Sequence, residues 1–401
     1  MITTHLIVIL LDINKGRMKS LLVALKNVLR QFPFIMPKGI VYSAKDWINE
    51  NNYYTNWCTQ TNSSWYINAY PENIIYYSKP NSIYNELNVY FKSELIKKHL
   101  EVNLYYFQGA YVFSDYGNVI SKDNKVFDEF CHYFGTNDIK KGNIFKPFAT
   151  FKTQIEKIKS NTAVIATPDS SNYYHWMMDS LPRLHLLEKF IDSIDYFIVP
   201  EKLYSFHIES LKYWGIEEDR LIKMKKTDKI YFENLYVPSL PGSVGNSPLW
   251  AVEYVRQKFI NDNNDCLSKE YVYLSRINAR ERHIINENEV IELLRNRGFQ
   301  IYEMSEHTLA EQIKIIRNAK IIVSAHGAAL TNLLFASNCQ VLEIFSLDCI
   351  RPDCYFTLAS QLGLDYWYLM GENYHDGKKL AWGDMYLNTN NLTLTLDKIL
   401  S

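Results

Sequence analysis

The 401-residue sequence lacks several features that mark common classes of protein. Its six cysteines form no C-x-x-C pair, which argues against zinc sites and dithiol redox motifs and favours a reduced, intracellular protein. The formal net charge of -1 argues against a general nucleic-acid binder. The apolar run at residues 6–11 is far too short to span a membrane, and we interpret it as a buried strand.

Glycine is scarce, at 15 residues, whereas tyrosine is abundant, at 30 residues, and aromatic residues make up 14% of the chain. Aromatic faces suit sugar rings, so this excess fits a carbohydrate-binding cleft. An A/T-rich coding bias explains the same excess equally well. Composition alone therefore leaves both explanations open.

Length and hydrophobic patterning predict an α/β protein with two domains. Apolar residues at 47% and charged residues at 22% are typical of a globular chain. Strands alternate with helices twice, which predicts two parallel sheets, and the densest Pro/Gly/Ser stretch, 238–248, is the best candidate for a hinge. We expect an N-terminal region of unknown role over 1–100 and Rossmann-like domains over 101–245 and 246–401, with the last helix packing back on the first domain.

Shorter patterns predict individual elements. A helical pattern covers residues 19–30, and hairpin strands at 104–112 and 119–120 flank a turn at 115–118. In the second half, strands are predicted near 271–275, 299–302, 320–324, 340–345 and 366–369, separated by helices.

Residues 321–335 read as a buried strand, a loop of small residues and the start of a helix. The loop begins with His326, Gly327 and Ala328, and Thr331 and Asn332 follow in the first helical turns. Free backbone N–H groups and the helix dipole at such a turn suit a phosphate or pyrophosphate. The segment lacks the glycines of G-x-G-x-x-G and the lysine of G-x-x-x-x-G-K-[ST], and similar turns in many α/β proteins bind nothing.

A second candidate group is His175 with Asp179, at the start of a predicted helix that follows a strand. Residues four apart lie on one helical face, so one side chain can accept a proton from a hydroxyl while the other orients it. The same spacing occurs in metal sites, for which no third ligand is visible. It also occurs in ion pairs with no function.

Arginines and one buried acidic residue complete the candidates. Arg276 follows a predicted strand, and Arg280 and Arg282 lie in the next loop, at the edge where α/β folds bind ligands. Guanidinium groups suit phosphate oxygens, although a solvated basic loop is the alternative. Glu343 lies in a buried strand, where it could accept hydrogen bonds from a ribose or pair with an arginine such as Arg351.

The sequence contains no D-x-D triplet. Metal-assisted binding of a nucleotide-sugar through that motif is therefore unsupported, and we predict neither a metal site nor a cofactor. Arginine side chains and a helix N-terminus would have to neutralise a diphosphate instead.

Taken together, these segments resemble glycosyltransferase family 61, which includes plant xylosyltransferases, animal N-acetylglucosaminyltransferases and bacterial capsular polysaccharide proteins. The likeness extends over about residues 100–370. It is carried by the segments 172–183, 273–276, 325–332 and 343–344, with Arg282, Asn286, Glu287, Glu311, Gln312 and Phe335.

The resemblance implies a GT-B fold of two facing Rossmann-like domains, inversion at the anomeric carbon and a UDP-sugar donor with no metal requirement. Carried onto this chain, it implies that Arg276, Arg282, His326 and the 327–332 turn surround the diphosphate. It further implies that Glu343 holds the ribose. Asp179 is the first choice for the base that deprotonates the acceptor hydroxyl, and His175 is the second.

Departures from animal and plant members shape the remaining expectations. We see no N-terminal membrane anchor and no luminal cysteine framework, so we expect a cytoplasmic enzyme at the inner face of a membrane. The expected acceptor is a glycan or lipid-linked oligosaccharide rather than a protein, with GlcNAc or xylose as the transferred sugar in surface or capsular polysaccharide synthesis. A nucleotide-sugar epimerase or hydrolase and a non-catalytic glycan-binding module are the alternatives.

Overall fold

A computed structural model describes residues 36–55, 63–131, 142–146, 149–150, 154–260, 270–347, 349–373 and 383–401. The strand predicted at 6–11 and the helix predicted at 19–30 lie outside these ranges. Within them the chain is a mixed α/β protein built on two large sheets and one small hairpin.

The strands of the described chain alternate with helices over most of its length. They are β1 (Gly39–Val41), β2 (Trp65–Tyr70), β3 (Asn73–Tyr76), β4 (Ile96–His99), β5 (Val102–Phe113), β6 (Asn118–Ser121), β7 (Lys125–Phe127), β8 (Glu156–Val164), β9 (Tyr196–Pro200), β10 (Leu221–Met224), β11 (Lys229–Pro238), β12 (Glu270–Leu274), β13 (Phe299–Tyr302), β14 (Ala319–Ala325), β15 (Gln340–Ser346), β16 (Asp365–Asn373) and β17 (Met385–Tyr386).

The α-helices of the described chain range from a single turn to three turns. They are α1 (Ala44–Thr55), α2 (Val89–Lys92), α3 (Tyr173–His175), α4 (Arg183–Leu187), α5 (Ser205–Leu211), α6 (Leu249–Phe259), α7 (Glu287–Asn296), α8 (Leu309–Arg317), α9 (Tyr355–Gln361) and α10 (Thr389–Leu400). A π-helical turn covers Trp176–Ser180, and 3-10 turns cover Asp128–Phe130, Asn143–Phe145, Glu188–Ser193, Lys212–Trp214, Glu218–Arg220, Met304–Glu306 and Ala328–Phe335.

The first sheet has nine strands and is only half parallel. Its order is β1-β7-β6-β5-β11-β8-β9-β10, with β2 beside β5. β11, β8, β9 and β10 are parallel, whereas β5 runs antiparallel to both β11 and β6. The expectation of a Rossmann-like first domain therefore holds for the parallel half alone. A short turn joins β5 to β6, and such a hairpin can only produce antiparallel strands.

The second sheet confirms the predicted alternation of strands and helices. Its order is β13-β12-β14-β15-β16-β17, and every pair is parallel except β16 with β17. From β12 the chain first adds β13 on one side and then β14, β15 and β16 on the other. The order therefore reverses between β12 and β14, and parallel sheets bind ligands beyond the carboxyl ends of the strands at such a point.

The last helix packs on its own domain, so the expectation that it packs back on the first domain is wrong. Leu392, Leu396 and Ile399 of α10 join a buried cluster with Val290 of α7 and Leu369 of β16. These apolar residues recur at helical spacing, so they form one stripe that the second sheet and α7 cover.

Residues 36–100, expected to form a separate region, belong to both halves of the molecule. β1 and β2 are strands of the first sheet. The next segment reaches the second sheet, where Phe91 of α2 stacks on Tyr368 with ring centroids 4.4 Å apart. The Asn81 backbone exchanges hydrogen bonds with Tyr366 and Tyr368. This segment therefore fastens one sheet to the other.

Candidate functional site

A cavity of about 350 Å³ opens between the helical segment after β8 and the carboxyl edge of the second sheet. It brings together five predicted site residues from three distant parts of the sequence: His175, Arg282, His326, Gly327 and Ala328. We call it the His175 cavity. The other residues that line it are Asn172, Tyr174, Ser243, Val244, Gly245, Arg351, Asp353, Cys354 and Tyr355.

His175 and Asp179 form a hydrogen-bonded pair at one wall of this cavity. Nδ1 of His175 lies 2.8 Å from Oδ2 of Asp179. The two differ in exposure, because the His175 side chain keeps 17% of its surface and lines the cavity, whereas that of Asp179 keeps 4% and lies behind it. In the structure the His175 imidazole therefore faces the cavity, and the Asp179 carboxylate holds it from behind.

The charge of Asp179 also tunes the imidazole. Burial lowers the pKa of His175, but the hydrogen bond and negative charge of Asp179 and the charges of Asp169 and Asp353 outweigh burial, so its pKa is raised above the ordinary 6.5. An imidazole with a raised pKa holds an accepted proton more firmly.

The local sequence explains why this pair lies at a break in the helix. Asn172 caps α3 by accepting a hydrogen bond from the Tyr174 amide. The Leu181 amide then donates to the Trp176 carbonyl across a π-helical turn, one residue wider than an α-helical turn. Pro182 has no amide hydrogen with which to continue a helix. Turns of this kind inside helices are frequent at functional sites.

Gly327 is required because an arginine lies directly against it. A Cβ atom at position 327 would lie only 1.7 Å from Nη1 of Arg276. The Gly327 backbone is extended, with φ of 173°, so the requirement is for space and not for an unusual conformation. The Arg276 guanidinium is held there by a 2.8 Å hydrogen bond from Nη2 to the Glu281 carbonyl.

A second cavity, of about 320 Å³, is lined by this arginine. We call it the Arg276 cavity. Ala328 lines both cavities, so they adjoin at the turn formed by Gly327 and Ala328. The remaining residues that line the Arg276 cavity are Tyr173, Phe206, Ser275, Asn278, Ala279, Glu303, Met304, Ser305, Gln312 and Ala329.

Arg282 reaches the His175 cavity from a tightly anchored loop. Its backbone is left-handed, with φ of 61°, a conformation that costs an ordinary residue about 1 kcal/mol or more. The next residue, His283, anchors the loop, because both its amide and Nδ1 lie within 2.9 Å of Asp384 Oδ1. Arg280, also in the predicted basic cluster, is exposed and lines neither cavity.

Glu343 does not lie where a ribose could reach it. Its side chain is fully buried, and both carboxylate oxygens are occupied: Oε1 lies 2.5 Å from Nδ1 of His326, and Oε2 accepts from the Tyr366 hydroxyl at 2.5 Å. The geometry therefore does not support the assignment of Glu343 to a ribose, because both of its carboxylate oxygens have protein partners. A buried carboxylate is costly unless it is hydrogen-bonded, and one of the partners of Glu343 is His326, which lines the cavity.

Thr331 and Asn332 are likewise fully buried and line neither cavity. The Asn332 carbonyl oxygen accepts a 2.7 Å hydrogen bond from the Tyr173 hydroxyl, and its amide donates to Gln312 at 2.9 Å. Asn332 thus ties the His175 segment to the second sheet rather than contacting a ligand. Both residues lie in a 3-10 helix, whereas the sequence predicts an α-helix. A 3-10 helix has fewer residues per turn, so different side chains face the interior.

Asp353 is a cavity residue that the sequence analysis missed. It follows β15 in the loop that leads to α9, at the carboxyl edge of the second sheet. The rule that parallel sheets bind ligands at this edge would have singled out that loop. The residues around Asp353 match no sequence motif that would by itself indicate a binding site.

The described ranges contain no cluster of three His, Cys, Asp or Glu side chains placed to hold a metal ion. Among the same residues, no helix has the length and apolar character needed to cross a bilayer.

Fold and site together define an α/β protein whose two sheets share a cleft with arginines on one wall and a histidine–aspartate pair on the other. Comparison with known families is more specific: residues 173–342 match the sequence model of Glycosyltransferase 61. The resemblance drawn from the sequence is thereby confirmed for this segment, which is less than half of the chain. The matched segment begins at α3 and ends within β15, so it includes His175, Asp179, Arg276, Arg282 and the Gly327 turn.

Curated relatives agree with this assignment. The chain is 36% identical over 98 residues to EGF domain-specific O-linked N-acetylglucosamine transferase of Drosophila melanogaster, which is 23% of this chain and 18% of the relative. It is 34% identical over 116 residues to human Protein O-linked-mannose beta-1,4-N-acetylglucosaminyltransferase 2, which is 27% of this chain and 19% of the relative. The chain thus spans less than a fifth of the length of these relatives.

Proposed function

We propose that this chain is an inverting glycosyltransferase that moves a sugar from a UDP-sugar to the hydroxyl of a glycan or lipid-linked oligosaccharide. The observation that carries the proposal is the His175 cavity, where a candidate base from one half of the molecule faces arginines and a small-residue turn from the other. The two sheets would then act as the facing domains of a GT-B enzyme, with its cleft at the 238–248 hinge.

The donor would lie across the Gly327 turn. Uridine would occupy the Arg276 cavity, where the rings of Tyr173 and Phe206 can contact a pyrimidine and Gln312 and Asn278 offer polar groups. The diphosphate would cross Gly327 and Ala328, because no side chain blocks the backbone there and the first 3-10 turn begins at that point. The sugar would then enter the His175 cavity.

Arginines would stabilise the leaving group. As the bond between the anomeric carbon and the phosphate oxygen breaks, negative charge develops on the diphosphate. Arg276 and Arg282 provide fixed positive charge on either side of the turn, and burial together with their mutual repulsion lowers the pKa of Arg276, so an anion between them is favourable. This charge supports transfer without a metal.

His175 would act as the base. The acceptor oxygen attacks the anomeric carbon from the face opposite the diphosphate, and its proton passes to His175 as the new glycosidic bond forms. Asp179 positions the imidazole and stabilises the imidazolium, as a buried carboxylate does for other catalytic histidines. His175 is the catalytic residue in this scheme, and Asp179 is a positioning residue.

Both relatives named above are N-acetylglucosaminyltransferases, so UDP-GlcNAc is our first choice of donor, and UDP-xylose is the second.

A panel of UDP-sugars with p-nitrophenyl glycosides as simple acceptors, run with EDTA, tests the proposal. We expect transfer with inverted anomeric configuration. Turnover that EDTA abolishes and Mn²⁺ restores would contradict metal independence, and consumption of UDP-sugar without any glycoside product would indicate a hydrolase. The cytoplasmic location and the capsular role stay predictions.

A further inference from the structure

A carboxylate to which the proposed transfer step gives no contact with substrate lines the His175 cavity. Asp353 lines the cavity beside the loop of Ser243, Val244 and Gly245, at the carboxyl edge of the second sheet. It is distinct from the His175–Asp179 pair, which comes from the other half of the molecule.

One oxygen of this carboxylate is buried without a hydrogen bond. Oδ1 of Asp353 has no partner among the described residues, and burial raises the pKa of this carboxyl, with the charge of Glu94 adding to the effect and those of His326 and Arg351 opposing it. A buried carboxylate oxygen without a donor is costly unless a ligand provides one.

The loop beside this carboxylate presents a glycine that packs against its other oxygen, Oδ2. Gly245 adopts a left-handed backbone with φ of 87°, and a Cβ atom there would lie 2.7 Å from Oδ2 of Asp353. The backbone thus approaches the carboxylate closely while contributing no side chain to the space beside it. At this point the wall of the cavity consists of the Gly245 backbone and the Asp353 carboxylate.

The position within the cavity indicates which part of a ligand would meet Asp353. Arg282, His326 and Gly327 line the same cavity, where the diphosphate would end. The group beyond the diphosphate is the sugar, and each sugar hydroxyl carries a hydrogen-bond donor. A site built to accept from a hydroxyl discriminates strongly against analogues that lack it, because its buried acceptor is then left unpaired.

We propose that Asp353 binds a hydroxyl group of the transferred sugar and so determines which UDP-sugar the enzyme accepts. This inference rests on the proposed function, because it places the donor sugar in the His175 cavity. Asp353 is then a binding residue for the sugar, and its loss should weaken the binding of UDP-sugar while leaving the binding of UDP intact.

Calorimetry on the full chain tests this inference. The affinities of wild type, Asp353→Ala and Asp353→Asn are measured for UDP and for the UDP-sugar that wild type turns over, with UDP-GlcNAc as the first choice. We expect Asp353→Ala to lose about 10- to 100-fold in affinity for UDP-sugar, the range for a hydrogen bond to a charged group, and to bind UDP within about twofold of wild type. Asp353→Asn keeps one acceptor oxygen and should lose less. Retained UDP binding shows that each variant is folded.

Monodeoxy donors identify the hydroxyl. Wild type should lose affinity for one of the 3-, 4- and 6-deoxy analogues, whereas Asp353→Ala should bind that analogue and the parent sugar equally, because the interaction is already absent. Asp192→Asn removes a carboxylate on the surface and is the matched control, with donor affinities equal to those of wild type.

The possible failures are distinguishable. Unchanged affinity of Asp353→Ala for UDP-sugar, or an equal loss for UDP and UDP-sugar, would overturn the inference and leave the proposed function standing. A loss of transfer rate with unchanged UDP-sugar affinity would also overturn it and would identify Asp353 as a base. Absence of UDP binding to wild type would overturn the proposed function and this inference together.

Discussion

The two walls of the cleft are built in different ways. The wall with His175 and Asp179 depends on two residues four apart in one helical segment. The wall with Arg276 and Gly327 depends on a loop after β12 meeting a turn after β14, and its histidine is oriented by Glu343 from a third strand. The first wall, here called the local wall, is therefore formed by residues close together in the sequence. The second, here called the long-range wall, is formed by distant residues that neighbouring strands bring together. Substitutions on the first wall should affect proton transfer, and those on the second should affect binding.

The largest expected effect is on the local wall. His175→Ala should reduce kcat for transfer by about 10²- to 10⁴-fold, the usual contribution of a general base, while the Kd for UDP stays near that of wild type. Asp179→Asn should lose less, because the imidazole remains but its orienting charge is removed. Initial rates and calorimetric titrations measure the two quantities.

His307→Ala is the matched control, since His307 lines neither cavity and should retain full activity. A UDP affinity that falls as far as kcat in His175→Ala would show that the two walls do not have separate roles.

The second effect is on the long-range wall. Gly327→Ala forces Arg276 away from the turn, because the new methyl group and Nη1 cannot both occupy that space. The affinity for UDP should fall by about 10- to 100-fold, as for the loss of a hydrogen bond to a charged group. Gly39→Ala is the control, since a Cβ at position 39 meets no atom within 4 Å. Normal UDP binding by Gly327→Ala would exclude this turn as the diphosphate site.

The same contrast explains which features the sequence could predict. The His175–Asp179 pair follows from spacing alone, and the strands of the second sheet follow from β-branched runs that end at small or polar residues. The role of Glu343 did not follow, because its partners are 17 and 23 residues away on neighbouring elements. The burial of Asn332 away from both cavities did not follow for the same reason, since its partner Tyr173 is 159 residues away. The antiparallel half of the first sheet depends on strand pairing, which periodicity does not encode.

A third test separates the two roles considered for Glu343. Glu343→Gln leaves a side chain that cannot accept from both His326 and Tyr366, so His326 should lose its fixed orientation. The affinity for inorganic pyrophosphate should then fall by about fivefold, the cost of about one ordinary hydrogen bond. A ribose-binding glutamate predicts instead a loss for UDP and none for pyrophosphate, which would contradict the orienting role. Competition titrations with both ligands give the answer.

The smallest expected effect is on the pH dependence. Because the pKa of folded His175 is raised above 6.5, the rate should increase with pH through an apparent pKa above 6.5. The raised pKa of His175 also stabilises the fold below pH 6.5, and this contribution is lost as the pH rises through the pKa of His175 in the folded protein. In Asp179→Asn the acidic limb of the pH–rate profile should move to lower pH, because Asp179 is the main group that raises the pKa of His175. An unchanged profile of kcat/KM in that variant would contradict the coupling.

The most direct test is a crystal structure of the wild-type chain soaked with UDP. The diphosphate should lie against Gly327 and Ala328 within hydrogen-bond distance of Arg282, with uridine in the Arg276 cavity and the His175 cavity open for the sugar. Nucleotide bound elsewhere on the molecule, or both cavities empty at saturating UDP, would contradict the shared cleft.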